Sequence, residues 1–150
     1  MAGTFSQIYI QLVFAVKGRD SLLKNPWRKN VIEYIGGIIR EKGQKVIIVN
    51  AVSDHIHIFF GMKPNICISD LVREIKSCSS KRINEAGWCT FKFAWQKGYA
   101  AFSYSHKQVK TVYNYIANQE EHHRIFSFKD EYLKFLKNRD IDYQEKHLFE

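Results

Sequence analysis

Ala51-Val52-Ser53-Asp54-His55-Ile56-His57-Ile58-Phe59-Phe60 is the stretch around which this chain is organised. Side chains alternate between the two faces of a β-strand. His55 and His57 therefore project together, while Ile56, Ile58 and Phe60 turn the other way, into a core. Two imidazoles on one strand face, roughly 7 Å apart at Cα, can converge on one divalent ion. The residues before the turn, Gln44 to Val52, are largely β-branched and read as a strand. Ser53-Asp54 is a short turn and His55 to Met62 is the returning strand, which predicts a hairpin.

Outward from this hairpin the periodicities alternate. Toward the N-terminus, Ile8, Ile10, Leu12, Phe14 and Val16 share one strand face, and Gln7, Tyr9 and Gln11 share a more polar one. Trp27 to Glu41 has Val31, Ile32, Ile35, Ile38 and Ile39 at helical spacing. Gly36-Gly37 weakens its middle and Gly43 ends it. Toward the C-terminus, Ser69 is an expected N-cap for a helix over Leu71 to Ala86, stopped by Gly87. Phe91 to Phe102 reads as an aromatic-rich strand with an irregular entry. Ser105 caps an expected helix from about His106 to His123. Ser127-Phe128-Lys129-Asp130 opens a last helix through Leu136. The polar stretch from Asn138 to Glu150 is expected to be loose.

The resulting order is β-α-β-β-α-β-α-α. Its first six elements match a ferredoxin-like (RRM-like) split βαβ arrangement, an α+β fold. The expected architecture is an antiparallel sheet with helices on one face and extra helices at the C-terminus. The open face would carry Tyr9, Gln11, His55 and His57, a platform for a nucleic acid or a metal.

Composition narrows the partner. A chain of 150 residues suits one domain, residues 1–150, with one core. Lys and Arg number 23 against 15 acidic residues, and the surplus of +8 favours a polyanion. Cys67, Cys78 and Cys89 are odd in number and lack close spacing, which argues against a disulfide framework and suits a reducing cytoplasm. No apolar run approaches the roughly 18 residues that span a membrane, and no signal peptide is apparent. The chain reads as soluble, intracellular and cytoplasmic.

Chemistry enters with Lys110-Thr111-Val112-Tyr113-Asn114-Tyr115-Ile116-Ala117-Asn118-Gln119. Tyr115 and Gln119 are four apart and share a helix face; Tyr113, two residues away, points elsewhere. A phosphodiester is cut in line, so a nucleophile must stand opposite the leaving oxygen. A metal bound by two imidazoles and an amide oxygen keeps positions open for phosphate oxygens. Tyr115 is the expected nucleophile, forming a covalent phosphotyrosine that conserves bond energy, and Gln119 can complete the metal site.

Three segments carry a resemblance: Asp54-His55-Ile56-His57, Trp95-Gln96-Lys97-Gly98-Tyr99 and Tyr115-Ile116-Ala117-Asn118-Gln119. In order and spacing they resemble the single-tyrosine HUH transposases of small insertion sequences, the IS200-like family, across nearly the whole chain. The resemblance implies that His55, His57 and Gln119 hold Mg²⁺ or Mn²⁺ and that Tyr115 attacks the DNA. It implies binding of single-stranded DNA hairpins at element ends, a 5′-phosphotyrosine intermediate, and a homodimer whose subunits share active sites. The chain's own residues leave open whether the site is assembled within one subunit or between two.

Other residues have two readings. Arg73, Lys76, Lys81 and Arg82 are candidates for gripping DNA phosphates or form a solvated helix face. Trp95 and Tyr99 stack on bases or pack in the core. Asp54 orients a histidine or only makes a turn. His122 and His123 reach a metal or phosphate, or sit at a helix C-terminus where positive charge is favourable. The rival function is a non-catalytic or domesticated nucleic-acid-binding module on the same fold, needing neither metal nor Tyr115.

Overall fold

The computed structural model describes residues 3–19 and 23–150. Four strands, β1 (Tyr9–Ala15), β2 (Lys45–Ala51), β3 (His55–Gly61) and β4 (Ala100–Tyr104), form one antiparallel sheet in the order β2-β3-β1-β4. Two crossover helices, α1 (Arg28–Glu41) and α2 (Ile68–Ala86), complete the ferredoxin-like unit. Three more follow: α3 (Val109–Ala117), α4 (Gln119–His123) and α5 (Phe128–Asn138). Among the described residues no helix is long and apolar enough to cross a membrane.

The alternation in β1 and β3 decides which residues face α1 and α2. Leu12, Phe14, Ile56, Ile58 and Phe60 meet Ile35, Ile39, Val72, Ile75 and Ile83 in the larger core. That much burial keeps α1 continuous through Gly36-Gly37 despite the low helix propensity of glycine. Gly43 (φ 76°) and Gly87 (φ 68°) take the left-handed conformation that ends α1 and α2.

The opposite sheet face, expected to lie open, is covered. Val13, Ala15, Ala100 and Phe102 pack under Phe128, Tyr132 and Leu136 of α5, and Phe59 packs under Val112 and Ile116 of α3. Phe128, Tyr132 and Leu136 recur every four residues, so α5 carries an apolar stripe that must be buried. The sheet face between β1 and β4, with small Ala15 and Ala100, receives it. Gln11, His55 and His57 are buried as a result.

Several boundaries differ from expectation. Of Phe91 to Phe102, only the end from Ala100 is strand; Trp95 makes a single bridge to Val16. The helix expected over 106–123 opens with a 3-10 turn, His106–Gln108, and breaks at Asn118. Residue Cys67, not Ser69, precedes α2, whose first residue is Ile68. Ser127 does cap α5, its Oγ accepting from the Asp130 backbone N–H at 3.2 Å. The terminal stretch is held rather than loose. Leu148 is buried, and the Gly98 N–H donates to the Glu150 carbonyl at 2.7 Å.

Candidate active site

β3 delivers His55 and His57 side by side beneath the C-terminal helices, with ring centroids 5.2 Å apart and no solvent exposure. The outer nitrogen of each is held by a neighbour. His55 Nδ1 lies 2.7 Å from Asp54 Oδ1, which selects the orienting reading of Asp54. Gln11 Nε2 donates to His57 Nδ1 at 2.8 Å, and the Tyr104 hydroxyl donates to Gln11 Oε1 at 2.6 Å. The strand register explains this. Val13 pairs with His57, so Gln11, two residues along β1, shares its sheet face and lies diagonal to it.

The inner nitrogens converge on Glu131, near the start of α5. Glu131 Oε1 lies 3.3 Å from His55 Nε2, 3.1 Å from His57 Nε2 and 3.2 Å from His123 Nε2. Glu131 Oε2 accepts from the Tyr115 hydroxyl and lies 3.3 Å from Gln119 Nε2. Tyr115 thus reaches His57 within one chain, their rings 6.0 Å apart. The sharing of sites between subunits implied by the family resemblance is not needed to bring these residues together: Ile116, on α3, is buried against Phe59 of β3 and seats Tyr115 beside its own histidines.

Charge in this dry cluster is strongly coupled. Burial works to raise the Glu131 pKa, but hydrogen bonds from His123, His55 and His57 outweigh it and hold the carboxyl far below its ordinary range. Burial pushes the Tyr115 phenol up, and the negative charge on Glu131 pushes it further. For His55, burial works downward, yet the bonds to Asp54 and Glu131 prevail and raise it. His57 is lowered, because burial exceeds the attraction of Glu131.

The donor set fits a divalent cation. One ligand atom from each of His55, His57, His123 and Glu131 lies within 4.8 Å of all the others. Gln119 Oε1 stands 3.3 Å from His55 Nε2. Three imidazoles with a carboxylate and an amide suit Mn²⁺ better than Mg²⁺, which prefers oxygen. Asp54 accepts at the outer nitrogen of His55, as a metal-bound imidazole requires, and Gln11 fixes the ring of His57.

Sequence reasoning named His55, His57, Tyr115 and Gln119, and the structure gathers all four. Tyr115 and Gln119 meet although the helix breaks between them, with Gln119 Nε2 3.3 Å from the Tyr115 carbonyl. Tyr113 is exposed, as expected of a packing rival that points away. The four basic candidates are not gathered there. They lie on α2, across the sheet: Arg73 pairs with Asp70, Lys81 with Glu85, and Arg82 stacks on Trp88. Lys76 donates to the carbonyls of Gln96, Lys97 and Gly98 at 2.7, 3.0 and 2.7 Å, which commits its ammonium to the 96–98 turn. Trp95 is core, with its Nε1–H donating to Ser79 Oγ.

Glu131 was missed; Gln11 was placed on the face of the histidines without a role, and of the two readings of His123 the structure favours the one that reaches the histidine cluster. Glu131 did leave a signal, since it stands between Phe128 and Phe135 at helical spacing, a carboxylate inside an apolar stripe.

Comparison with known proteins agrees with this architecture. The family model described as transposase, IS200-like, matches residues 4–119. The ISDra2 transposase TnpA of Deinococcus radiodurans is 26% identical over 81 residues, which span 54% of this chain and 58% of that protein. A crystal structure from Deinococcus radiodurans R1, described as that of a transposase, superposes with a TM-score of 0.63 at 21% identity, over 79% of this chain and 95% of the other. A REP-associated tyrosine transposase bound to a REP hairpin superposes with a TM-score of 0.60 at 16% identity, over 82% of this chain and 74% of the other.

Proposed function

Since the chain belongs to the IS200-like transposase family, we propose that it cuts and rejoins single-stranded DNA at insertion-sequence ends through a covalent tyrosine intermediate. The observation that carries this is the Tyr115 hydroxyl, held against a cluster of His55, His57, Gln119, His123 and Glu131.

Tyr115 is the nucleophile. Its Oη forms a bond to the scissile phosphorus and the bond from phosphorus to the 3′ oxygen breaks; the upstream fragment leaves, its 3′ oxygen taking a proton from water to become a hydroxyl, and the downstream fragment stays on Tyr115 through its 5′ phosphate. Glu131 Oε2 orients the phenol through its hydrogen bond, and the phenol proton is released to water as the bond to phosphorus forms. Rejoining is the reverse, with a 3′ hydroxyl attacking the phosphotyrosine. His55, His57 and Gln119 would hold a divalent cation, Mn²⁺ or Mg²⁺, with His123 and Glu131 as further donors; it would supply Lewis-acid polarisation of the phosphate and stabilisation of charge on the leaving oxygen. Asp54 and Gln11 keep the two imidazoles turned inward. The DNA is hairpin-bearing single strand, and the family resemblance extends the proposal to a homodimer.

A denaturing gel tests it. The protein is incubated with labelled single-stranded DNA from the flanks of its own gene, with Mn²⁺, Mg²⁺ or EDTA. A metal-dependent covalent adduct that disappears in Tyr115→Phe is the expected result. Retention of DNA on a native gel, with no adduct under any metal, would favour the non-catalytic binding module.

A further inference from the structure

A cavity of about 270 Å³ opens beside Tyr115, between α3, α4 and α5; Gln11, Tyr115 and Glu131 of the cluster line one part of it, and the strand-cutting chemistry above gives the rest of its lining no role. Tyr115 forms part of its lining, so whatever enters it is adjacent to the nucleophile. Its volume lies just below the roughly 300–1,000 Å³ of clefts that engulf drug-sized ligands, so it suits one flat unit rather than a length of strand.

The walls match a nucleotide. Phe126, Phe135 and Tyr104 contribute aromatic surface, and Phe126 is half exposed. Lys134 and Arg139 contribute cations. Among the described residues no carboxylate lies within ion-pair distance of either. The Arg139 guanidinium is nevertheless fixed, stacked 4.5 Å from the Phe102 ring and 4.8 Å from the Phe135 ring. Its Nη2 donates to the Tyr104 hydroxyl at 2.6 Å. That hydroxyl donates to Gln11, and Gln11 to His57, so one hydrogen-bond chain joins the cavity's cation to the histidine pair. Asp130 also lines the rim, but nine residues before Arg139 along α5, about 13 Å away. Lys134 stands one turn from Asp130 and Glu131 on α5, so Arg139 is the cation set apart from the carboxylates.

We propose that this cavity receives the nucleotide flanking the scissile phosphate, with its base on Phe126 and Phe135 and a backbone phosphate at Arg139 and Lys134. The proposal rests on the strand-cutting reading of Tyr115. Unstacked bases lie readily on aromatic side chains, and an arginine planted among rings supplies both a stacking plane and a phosphate contact. Seating this nucleotide fixes the adjoining phosphate opposite Tyr115.

The test uses fluorescein-labelled oligothymidylate of about 16 nucleotides, in EDTA so that no strand is cut, with binding read by anisotropy. Phe126→Ala and Lys134→Gln change exposed or half-exposed side chains and leave the fold intact. Each should weaken binding by about five-fold or more, and Arg139→Gln should act in the same direction. Photocrosslinking of 5-iodo-deoxyuridine in the same strand should map to residues 126–139. Unchanged affinity in Phe126→Ala and Lys134→Gln, with crosslinks elsewhere, overturns the cavity assignment while leaving the Tyr115 adduct test untouched. Saturation by free thymidine monophosphate that the oligonucleotide cannot displace overturns it in favour of a free-nucleotide site. No binding of oligothymidylate by the unsubstituted protein overturns it too; the adduct gel then reports separately on strand cutting.

Discussion

The Tyr115 hydroxyl donates to the same Glu131 carboxylate that His55, His57 and His123 approach from the other side. One buried carboxylate thereby couples the proposed nucleophile to the histidine cluster proposed to hold the metal. Its negative charge opposes ionisation of the phenol while its hydrogen bond holds that phenol in place.

Glu131→Gln keeps the shape and removes the charge. The expected result is a loss of Mn²⁺ affinity of about 10-fold or more, read by electron paramagnetic resonance of free Mn²⁺ in a titration. Adduct formation falls as well, because the metal site is weakened. An unchanged Mn²⁺ affinity would remove Glu131 from the donor set.

Gln11 is buried and has two partners, His57 Nδ1 and the Tyr104 hydroxyl. Gln11→Leu leaves both without their bond. Unfolding free energy should drop by about 1–3 kcal/mol, measured by urea denaturation. Calorimetric titration should show Mn²⁺ binding weaker by about 10- to 100-fold. Weakened stability with intact metal binding would make Gln11 a packing residue alone.

Ile116, fully buried against Phe59, seats α3 on the sheet one residue from Tyr115. Ile116→Ala should lower stability by about 2–5 kcal/mol through the lost contacts and the cavity left behind. At a temperature where the variant is still folded by circular dichroism, adduct yield should fall further than the folded fraction does. A yield that tracks the folded fraction would mean that Tyr115 needs no such anchoring.

Stability of the metal-free protein should respond to pH on both sides of 6.5, the ordinary histidine value. Burial holds His57 below that value, so below pH 6.5 the unfolded chain takes the proton first and stability falls as pH drops toward the folded pKa. His55 is raised, so its contribution is complete below pH 6.5 and is lost as pH rises through its folded pKa. Urea midpoints in EDTA at pH values about one unit either side of 6.5 should show both limbs. His57→Asn should flatten the acid limb and His55→Asn the alkaline one. Limbs that persist in both variants would assign the effect to other groups.

The sequence alone determined the elements and the two halves of the site that lie on them. Period-two alternation in β1 and β3 put His55 and His57 on the face opposite Ile56 and Ile58, and the hairpin at Ser53-Asp54 followed from turn chemistry. Ser127 at the start of α5 was equally legible, since a cap is a contact between residues three apart. Tertiary structure decided the rest. Whether the second sheet face is open or covered depends on where α5 docks, and the order of apolar residues in α5 states only that it must dock. Glu131 meets His57 across 74 residues, and Gln11 across 46. No local periodicity constrains such pairs; they follow from the sheet order β2-β3-β1-β4 and from the packing of α3 and α5 upon it. The basic residues of α2 illustrate the converse. Their charge and spacing were plain in the chain, but the side of the sheet on which α2 lies set them apart from the histidines, because Leu71, Val72, Ile75 and Ile83 bury that helix in the other core.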